Sequence, residues 1–171
     1  MNAKNVETIY FQGAPCHTCG LVPKAGDKAP AFTLISTDLK PIDAGCFAGK
    51  RIALNVFPSL DTPVCSASVR RFNQEAAGMK NTAVVCVSMD LPFAAARFCS
   101  ANDIKNVTFG SAFRDPKFGA DYGLTMVDGP LAGLLARAVI IIDEDGRVKY
   151  SELVEEITNE PDYDAALSAL K

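Results

Sequence analysis

The chain has 171 residues, of which 49% are hydrophobic and 22% are charged, and its formal net charge is −3. A chain of this length and composition can bury one substantial core without disulfides or a structural metal, so we expect a single domain over residues 1–171. The weak negative charge excludes an electrostatic reason to bind nucleic acid or an anionic membrane surface, and neither is an expected partner.

The N-terminal segment predicts a β-rich extension without an export signal. Residues 1–7 contain no apolar run followed by a small-residue cleavage site, so we expect a cytoplasmic protein. Residues 8–13 have the pattern of a short strand that ends in a glycine turn, and residues 31–36 have that of another strand. We assign residues 1–27 to an N-terminal hairpin extension.

A strand followed by a helix is predicted in the first half of the chain. Residues 51–57 form a mostly apolar run that Pro58 stops, which is typical of a central strand covered on both faces. In residues 65–79, apolar side chains recur at helical spacing with charged side chains between them. Pro63 lies just upstream, where a helix can begin without losing a bonded N–H group.

The second half of the chain continues this alternation. Residues 82–87 predict a buried strand and residues 92–101 a second helix. Residues 136–142 and 147–153 flank a loop with a hairpin signature, and residues 162–170 close the chain as a helix. This order of elements predicts an α/β protein with a thioredoxin-like fold and a partly parallel sheet.

The chain has six cysteines, which we expect to be free or redox-active thiols, because structural disulfides are uncommon in reducing compartments. Cys86 lies in an apolar strand and is expected in the core, whereas Cys46 lies in a loop with no expected role. Cys16 and Cys19 form a Cys-x-x-Cys pair around His17, the only histidine. This pattern is compatible with structural cysteines, an auxiliary redox pair or a metal site.

Cys65 has the neighbours expected of a reactive thiol. In the first turn of a helix, unpaired N–H groups and the helix dipole favour a thiolate, and the alternative is a buried core cysteine. The helix end contributes only ~0.3–1 kcal/mol, so a cation is needed nearby. Arg137, at the start of an apolar strand, is the candidate, and an exposed arginine at a strand edge is the alternative. Thr62 supplies a hydroxyl group that can orient a substrate.

The spacing of these residues matches a known signature. Pro58, Thr62 and Cys65 form the pattern Pro-x-x-x-Thr-x-x-Cys, which resembles the active-site signature of peroxiredoxins. The surrounding residues 55–65 resemble the bacterial thiol peroxidase subfamily. The resemblance covers nearly the whole chain and continues through residues 66–74, 90–94, 97–99, 128–131, 136–138 and 156–163.

The resemblance implies a thioredoxin fold with an N-terminal hairpin, a homodimer, and reduction of hydrogen peroxide or alkyl hydroperoxides by an atypical 2-Cys mechanism. It implies that Cys65 is the peroxidatic cysteine and Cys99 the resolving cysteine, so that the two form an intramolecular disulfide. Thr62 and Arg137 would activate Cys65, and Pro58 would shield it. Thioredoxin is the implied reductant, and no metal or organic cofactor is implied.

Cys99 lies near the end of the predicted helix 92–101, and ordinary core packing is its alternative interpretation. Two thiols on separate helices can lie too far apart for a disulfide, so we expect a local rearrangement of this alanine-rich helix. Two other functions stay open. One is a redox- or metal-responsive binding module built on Cys16, His17 and Cys19, and the other is a general dithiol–disulfide oxidoreductase that depends on the same two cysteines.

Overall fold

The computed structural model describes residues 5–171. The first four residues of the predicted N-terminal extension, 1–27, lie outside the described residues. The strands are Thr8–Phe11 (β1), Ala14–His17 (β2), Thr33–Ile35 (β3), Pro41–Asp43 (β4), Arg51–Val56 (β5), Thr82–Ser88 (β6), Thr108–Ser111 (β7), Ala138–Ile142 (β8) and Val148–Leu153 (β9). The helices are Pro63–Ala76 (α1), Pro92–Ala101 (α2), Lys117–Asp121 (α3) and Tyr163–Ser168 (α4), with a 3₁₀ turn at Ala44–Phe47. Over this range no helix has the length and apolar character required to cross a membrane.

The large sheet combines a parallel centre with an antiparallel hairpin. Its strand order is β4-β3-β7-β6-β5-β8-β9. The strands β5, β6 and β7 run parallel, and α1 and α2 form the crossovers between them. The strands β8 and β9 form an antiparallel hairpin that pairs with the other edge of β5. The predicted strand–helix–strand unit and the following hairpin are therefore present in the predicted order.

Both faces of the central strands are covered by apolar side chains. Along β8, Ala138, Ile140 and Ile142 belong to one apolar cluster, while Val139 and Ile141 belong to another. Successive side chains of a strand point to opposite faces, so each cluster lies on one side of the sheet. The second cluster includes residues of α1, α2 and α4. The start of α1 is thus held against a rigid, fully covered sheet.

The N-terminal hairpin closes through a two-residue turn and docks on the segment after β9. Gln12 and Gly13 have φ values of 52° and 80°, the left-handed geometry that tight hairpin turns need. The backbone N–H of Tyr10 donates to the carbonyl of Glu155 at 2.7 Å, and the N–H of Ile157 donates to the carbonyl of Tyr10 at 2.9 Å. The predicted N-terminal hairpin is confirmed, and these bonds place its tip beside residues 155–157.

Several element boundaries differ from the predicted ones. The helix α1 begins at Pro63 rather than at 65 and ends at Ala76 rather than at 79, because proline takes its first position. The region 31–36 contributes β3 to the large sheet. The sequence does not predict β4, β7 or α3, which have three, four and five residues. Elements this short contain no full hydrophobic period that a sequence pattern could reveal.

Candidate active site

Cys65 lies in the first turn of α1, where the sequence predicts it. The strand β5 ends at Val56, and the loop 57–62 leads to Pro63, which opens the helix. The Cys65 side chain has no solvent exposure (0%) and joins the apolar cluster between α1 and the sheet. Its position at the helix start agrees with a reactive thiol, whereas its burial agrees with an ordinary core cysteine. The polar groups around the sulfur distinguish the two interpretations.

Arg137 is the cation beside Cys65. It lies directly before β8 and is only 2% exposed, so the interpretation as an exposed strand-edge arginine is wrong. Its Nη2 donates to the Cys65 Sγ at 3.3 Å, and its Nε donates to the carbonyl of Ile157 at 2.9 Å. Within residues 5–171, the buried Nη1 has no hydrogen-bond partner. A buried guanidinium with one unused N–H pair is suited to bind an additional oxygen or anionic group.

A cavity of about 270 Å³ is lined by Arg137 and by the residues directly before Cys65. It is lined by the hairpin tip, the loop before α1 and the segments around 131–137 and 157–158, through Phe11, Gln12, Pro58, Ser59, Thr62, Pro63, Val64, Leu131, Leu134, Arg137, Ile157 and Thr158. Most of these side chains are apolar, and Arg137 is the charged group among them. The cavity therefore combines mostly apolar walls with a few polar side chains and a single charged one, which is the usual composition of a small-molecule site.

The loop before Cys65 carries Pro58 and Thr62. Thr62 takes the N-cap position of α1, but its hydroxyl donates to the carbonyl of Ser59 at 3.0 Å instead of capping the helix. Asp90 holds this loop from the neighbouring strand, because its carboxylate accepts from the Ser59 hydroxyl and the Leu60 N–H, each at 2.8 Å. The loop that walls the cavity is therefore fixed to the end of β6.

A buried polar chain lies beneath the first turn of α1. Ser68, which is fully buried, donates to the carbonyl of Cys65 at 2.9 Å. Asn55, 1% exposed on β5, donates from Nδ2 to the Ser68 hydroxyl at 3.2 Å and to the Cys86 Sγ at 3.7 Å. Hydrogen bonds between buried groups fix geometry, because a lost partner leaves a desolvated polar atom. Asn55 and Ser68 thus tie the backbone of Cys65 to the sheet.

Glu156 connects the hairpin tip with the segment that contacts Arg137. Its Oε1 accepts from the backbone N–H groups of Gln12 and Thr158, both at 3.1 Å, and its Oε2 accepts from the N–H of Gly13 at 3.0 Å. These hydrogen bonds, led by that from Gly13, lower the pKa of Glu156 to about 2. The carboxylate is therefore charged throughout the physiological range, and it binds two walls of the cavity together.

Cys99 lies in the last turn of α2, in the predicted helix. It is half-buried and packs against the apolar cluster that contains Cys65 and Cys86. Burial raises the pKa of Cys99, and it raises the pKa of the fully buried Cys86 to about 12, as expected for an inert core thiol. All six cysteines are free, so the implied pair Cys65 and Cys99 is not joined in this structure.

The Cys-x-x-Cys segment has a structural environment. Cys16 is buried in the core on β2, and its pKa is raised by burial and then by Asp128 and Glu156. Cys19 follows in a bend and donates to the carbonyl of Gly119 at 3.5 Å. His17 contacts Asp128 through Nδ1 at 2.7 Å. Among residues 5–171, no three His, Cys, Asp or Glu side chains are grouped to hold a metal ion.

A larger cavity, of about 670 Å³, lies at the other end of α1, between Arg51, Met79 and Leu170. Its described lining contains acidic and basic side chains but no cysteine. The smaller cavity is instead lined by Arg137, the residue that donates a hydrogen bond to the Cys65 Sγ. We therefore take the smaller cavity as the candidate active site.

Four polar groups of this site are not predicted from the sequence. They are the Asp90 carboxylate, the Asn55 and Ser68 side chains, and the Glu156 carboxylate. The backbone carbonyl of Ile157, which accepts from Arg137, is likewise not predicted. Each bonds to a residue that the fold brings close, as Asp90 does to residues about thirty positions away. The buried polar position of Asn55 within an apolar strand is the one signal in the sequence that could have identified any of them.

Comparison with known proteins gives a consistent result. The family model described as Redoxin matches residues 24–167. The chain is 53% identical over 161 residues to the thiol peroxidase of Corynebacterium glutamicum, which spans 94% of this chain and 97% of that protein. It is 55% identical over 162 residues to the thiol peroxidase of Mycobacterium tuberculosis, which spans 95% of this chain and 97% of that protein.

Solved structures agree with the fold. A peroxiredoxin-like protein from Aquifex aeolicus superimposes with a TM-score of 0.91 at 41% identity and covers 97% of both chains. The thiol peroxidase from Chromobacterium violaceum superimposes with a TM-score of 0.85 at 22% identity, over 95% of this chain and 94% of that chain. At that lower identity the likeness concerns the fold alone. The predicted thioredoxin-like α/β fold is thereby confirmed.

Proposed function

Because the chain belongs to the Redoxin family and is a peroxiredoxin-type thiol peroxidase, we propose that Cys65 is the residue that its peroxide substrate oxidises. The observation that carries this assignment is the hydrogen bond of 3.3 Å from the Arg137 guanidinium to the Cys65 Sγ. The guanidinium stabilises a thiolate electrostatically, and the first turn of α1 adds its N–H groups. Of the six cysteines, Cys65 is the one that combines a helix start with a buried cation.

The first step is attack of the Cys65 thiolate on one oxygen of a hydroperoxide. A sulfur–oxygen bond forms while the oxygen–oxygen bond breaks, and the sulfur becomes a sulfenic acid. The departing oxygen takes a proton and leaves as water or as an alcohol. The unpartnered Nη1 of Arg137 can stabilise the charge that develops on this oxygen. The apolar walls of the cavity fit alkyl hydroperoxides as well as hydrogen peroxide.

Thr62 and Pro58 shape this step. The Thr62 hydroxyl donates its proton to Ser59, so its lone pairs remain able to accept a hydrogen bond from the protonated peroxide oxygen. Pro58 is buried in the cavity wall and keeps water from the sulfur. We therefore assign an orienting role to Thr62 and a shielding role to Pro58.

Cys99 completes the cycle as the resolving cysteine. Its sulfur attacks the sulfenic sulfur of Cys65, so that a sulfur–sulfur bond forms and the sulfenic oxygen leaves as water. A thioredoxin-type dithiol then donates two electrons and restores both thiols. Because Cys99 lies on α2 and Cys65 on α1, this step requires one or both helix ends to open.

The active protein is proposed to be a cytoplasmic homodimer, since the cycle needs a reducing compartment and the resemblance implies a dimer. Its chemistry requires neither a metal nor an organic cofactor. Light scattering on the purified protein measures the assembly, and twice the chain mass of 18.2 kDa is the expected result. A mass of one chain at micromolar concentration would contradict the dimer.

Stopped-flow measurement of hydrogen peroxide and cumene hydroperoxide consumption, with thioredoxin as reductant, tests the cycle. Cys65→Ser should abolish the fast reaction, because it removes the nucleophile. Cys99→Ser should be oxidised once and then fail to turn over. Cys46→Ser, which changes an exposed cysteine, is the matched control and should behave as the wild type.

Two results would contradict these assignments separately. Fast peroxide consumption by Cys65→Ser would end the assignment of the nucleophile. Normal turnover of Cys99→Ser would end the resolving role alone. A double Cys16→Ser/Cys19→Ser variant should keep full activity, whereas its inactivity would favour the dithiol oxidoreductase.

A further inference from the structure

One carboxylate ties together two walls of the cavity that Arg137 lines. The Glu156 carboxylate accepts hydrogen bonds from three backbone N–H groups. Two belong to Gln12 and Gly13 at the hairpin tip, and the third belongs to Thr158. Gln12 and Thr158 both line the cavity. The hairpin tip and the segment 156–158 are far apart in sequence, so their relative position depends on this contact and on the short backbone pairing with Tyr10.

The residue after Glu156 continues this connection to the reactive sulfur. Ile157 is 3% exposed, and its carbonyl accepts the Nε–H of Arg137 at 2.9 Å. The same guanidinium donates from Nη2 to the Cys65 Sγ. A displacement of the Ile157 carbonyl would therefore rotate or shift the guanidinium relative to the sulfur.

We infer that Glu156 is a positioning residue for the peroxidase reaction: by fixing the hairpin tip to residues 156–158, it holds the Ile157 carbonyl that orients Arg137 beside Cys65. Glu156 is not itself among the residues that line the cavity, and it bonds to two residues that are, Gln12 and Thr158. The inference rests on the proposed roles of Cys65 and Arg137. It gives the N-terminal hairpin a role in catalysis as a support of the guanidinium.

The energetic reason lies in the acceptors that Glu156 supplies. Without the carboxylate, the N–H groups of Gln12, Gly13 and Thr158 lose their shared partner, and the hairpin tip keeps only its remaining contacts, such as the backbone pairing of Tyr10. Residues 156–158 then gain freedom, and the guanidinium loses its fixed direction. An error of about 1 Å in a reacting group can lower a rate by about 100-fold.

Single-turnover stopped-flow with hydrogen peroxide tests this inference on the full chain. Glu156→Ala should lower the second-order rate constant by about 10- to 100-fold. Glu156→Gln keeps the size of the side chain but replaces one acceptor oxygen by a donor, so it should give a smaller loss. It also supplies a folded comparison if the alanine variant is unstable.

Glu155→Ala is the matched control. It removes the same charge from the adjacent position, where the side chain is exposed and forms no hydrogen bond in the described part of the chain. Its rate constant should stay within about twofold of the wild type, as expected for a surface substitution. Equal rate constants for the Glu155→Ala and Glu156→Gln variants would overturn the inference.

A double variant separates positioning through Arg137 from general stabilisation. Arg137→Ala alone should lower the rate constant by about 100-fold or more, because it removes the charge that stabilises the departing oxygen. If Glu156 acts through Arg137, then Glu156→Gln in the Arg137→Ala background should cost less than about twofold further. A full additional loss in that background would overturn the inference, even with Cys65→Ser inactive and the proposed cycle intact.

Discussion

At the scale of single residues, the proposed reactivity of Cys65 depends on groups that approach from three directions. Arg137 directly precedes β8, the loop with Thr62 precedes α1, and Asn55 on β5 bonds to Ser68 beneath the first turn of that helix. The sulfur has no exposed surface, so its activation depends on buried hydrogen bonds that water does not screen. Loss of Arg137, Ser68 or Asn55 leaves a buried polar atom without that bond.

Ser68→Ala tests the buried chain beneath Cys65. The change removes the donor to the Cys65 carbonyl and the acceptor of the Asn55 amide, both of which are buried. We expect a loss of about 1–3 kcal/mol in the free energy of unfolding, measured by urea denaturation of the reduced protein.

Ser66→Ala is the control for this measurement, since it removes a hydroxyl, one position after Cys65, that accepts a hydrogen bond from the exposed Arg70. It should change the free energy of unfolding by less than about 0.5 kcal/mol. Equal losses in the two variants would mean that the Ser68 bonds do not stabilise the fold.

At the scale of the elements, α1 and α2 differ in how firmly they are held. The helix α1 buries four residues, among them Val69 and Phe72, whereas the buried residues of α2 are Pro92 and Ala95. Small apolar contacts stabilise α2 weakly, because stabilisation scales with the apolar area removed from water. The helix that carries Cys99 is therefore the one more easily opened.

Hydrogen exchange of the reduced and peroxide-oxidised protein tests this difference. Amides of α2 should exchange faster after oxidation, because the proposed disulfide between Cys99 and Cys65 requires the end of the helix to unwind. The Cys99→Ser protein, treated with one equivalent of peroxide, is the control and should keep its protection. Identical protection of α2 in both states of the wild type would contradict the proposed rearrangement.

The sequence predicts the long elements well and the short ones poorly. The helix 92–101 and the strand beginning at Thr82 have full periods of apolar side chains, and they occur as predicted. The strand β7 and the helix α3 are held by their neighbours in the fold, which no local pattern records. The same limit applies to the site: Cys65 and Arg137 follow from local context and resemblance, whereas Glu156 acts through bonds to backbone groups about 140 residues away.

At the scale of the whole molecule, we propose that residues 1–171 form one domain. The large sheet contains strands from both halves of the chain, and β5 pairs with β6 on one side and β8 on the other. The N-terminal hairpin adds to this body through its backbone bonds to residues 155–157 and through Glu156. Unfolding should therefore be cooperative.

Calorimetry between pH 7 and pH 2 tests cooperativity and the role of Glu156 together. At pH 7 we expect one transition, with equal calorimetric and van't Hoff enthalpies. Hydrogen bonds lower the pKa of Glu156 from its ordinary 4.5 to about 2. A lowered pKa contributes stability above pH 4.5, and this contribution is lost as the pH falls from there towards 2.

Between pH 4.5 and pH 2, the melting temperature of the Glu156→Gln protein should accordingly fall less than that of the wild type. Glu155→Gln is the matched control and should follow the wild type. Parallel curves for the wild type and Glu156→Gln would contradict the contribution of this carboxylate, and two separate transitions at pH 7 would contradict the single domain.

The exposed Cys46, on the 3₁₀ turn Ala44–Phe47, has a practical consequence for work with this protein. A bulky thiol-labelling reagent should reach Cys46 before the buried Cys65, so early label uptake measures the wrong sulfur. Prolonged storage in air can cross-link two chains through Cys46, and the resulting band on a non-reducing gel would imitate an intermolecular catalytic disulfide. A Cys46→Ser background removes the contribution of this cysteine to both artefacts.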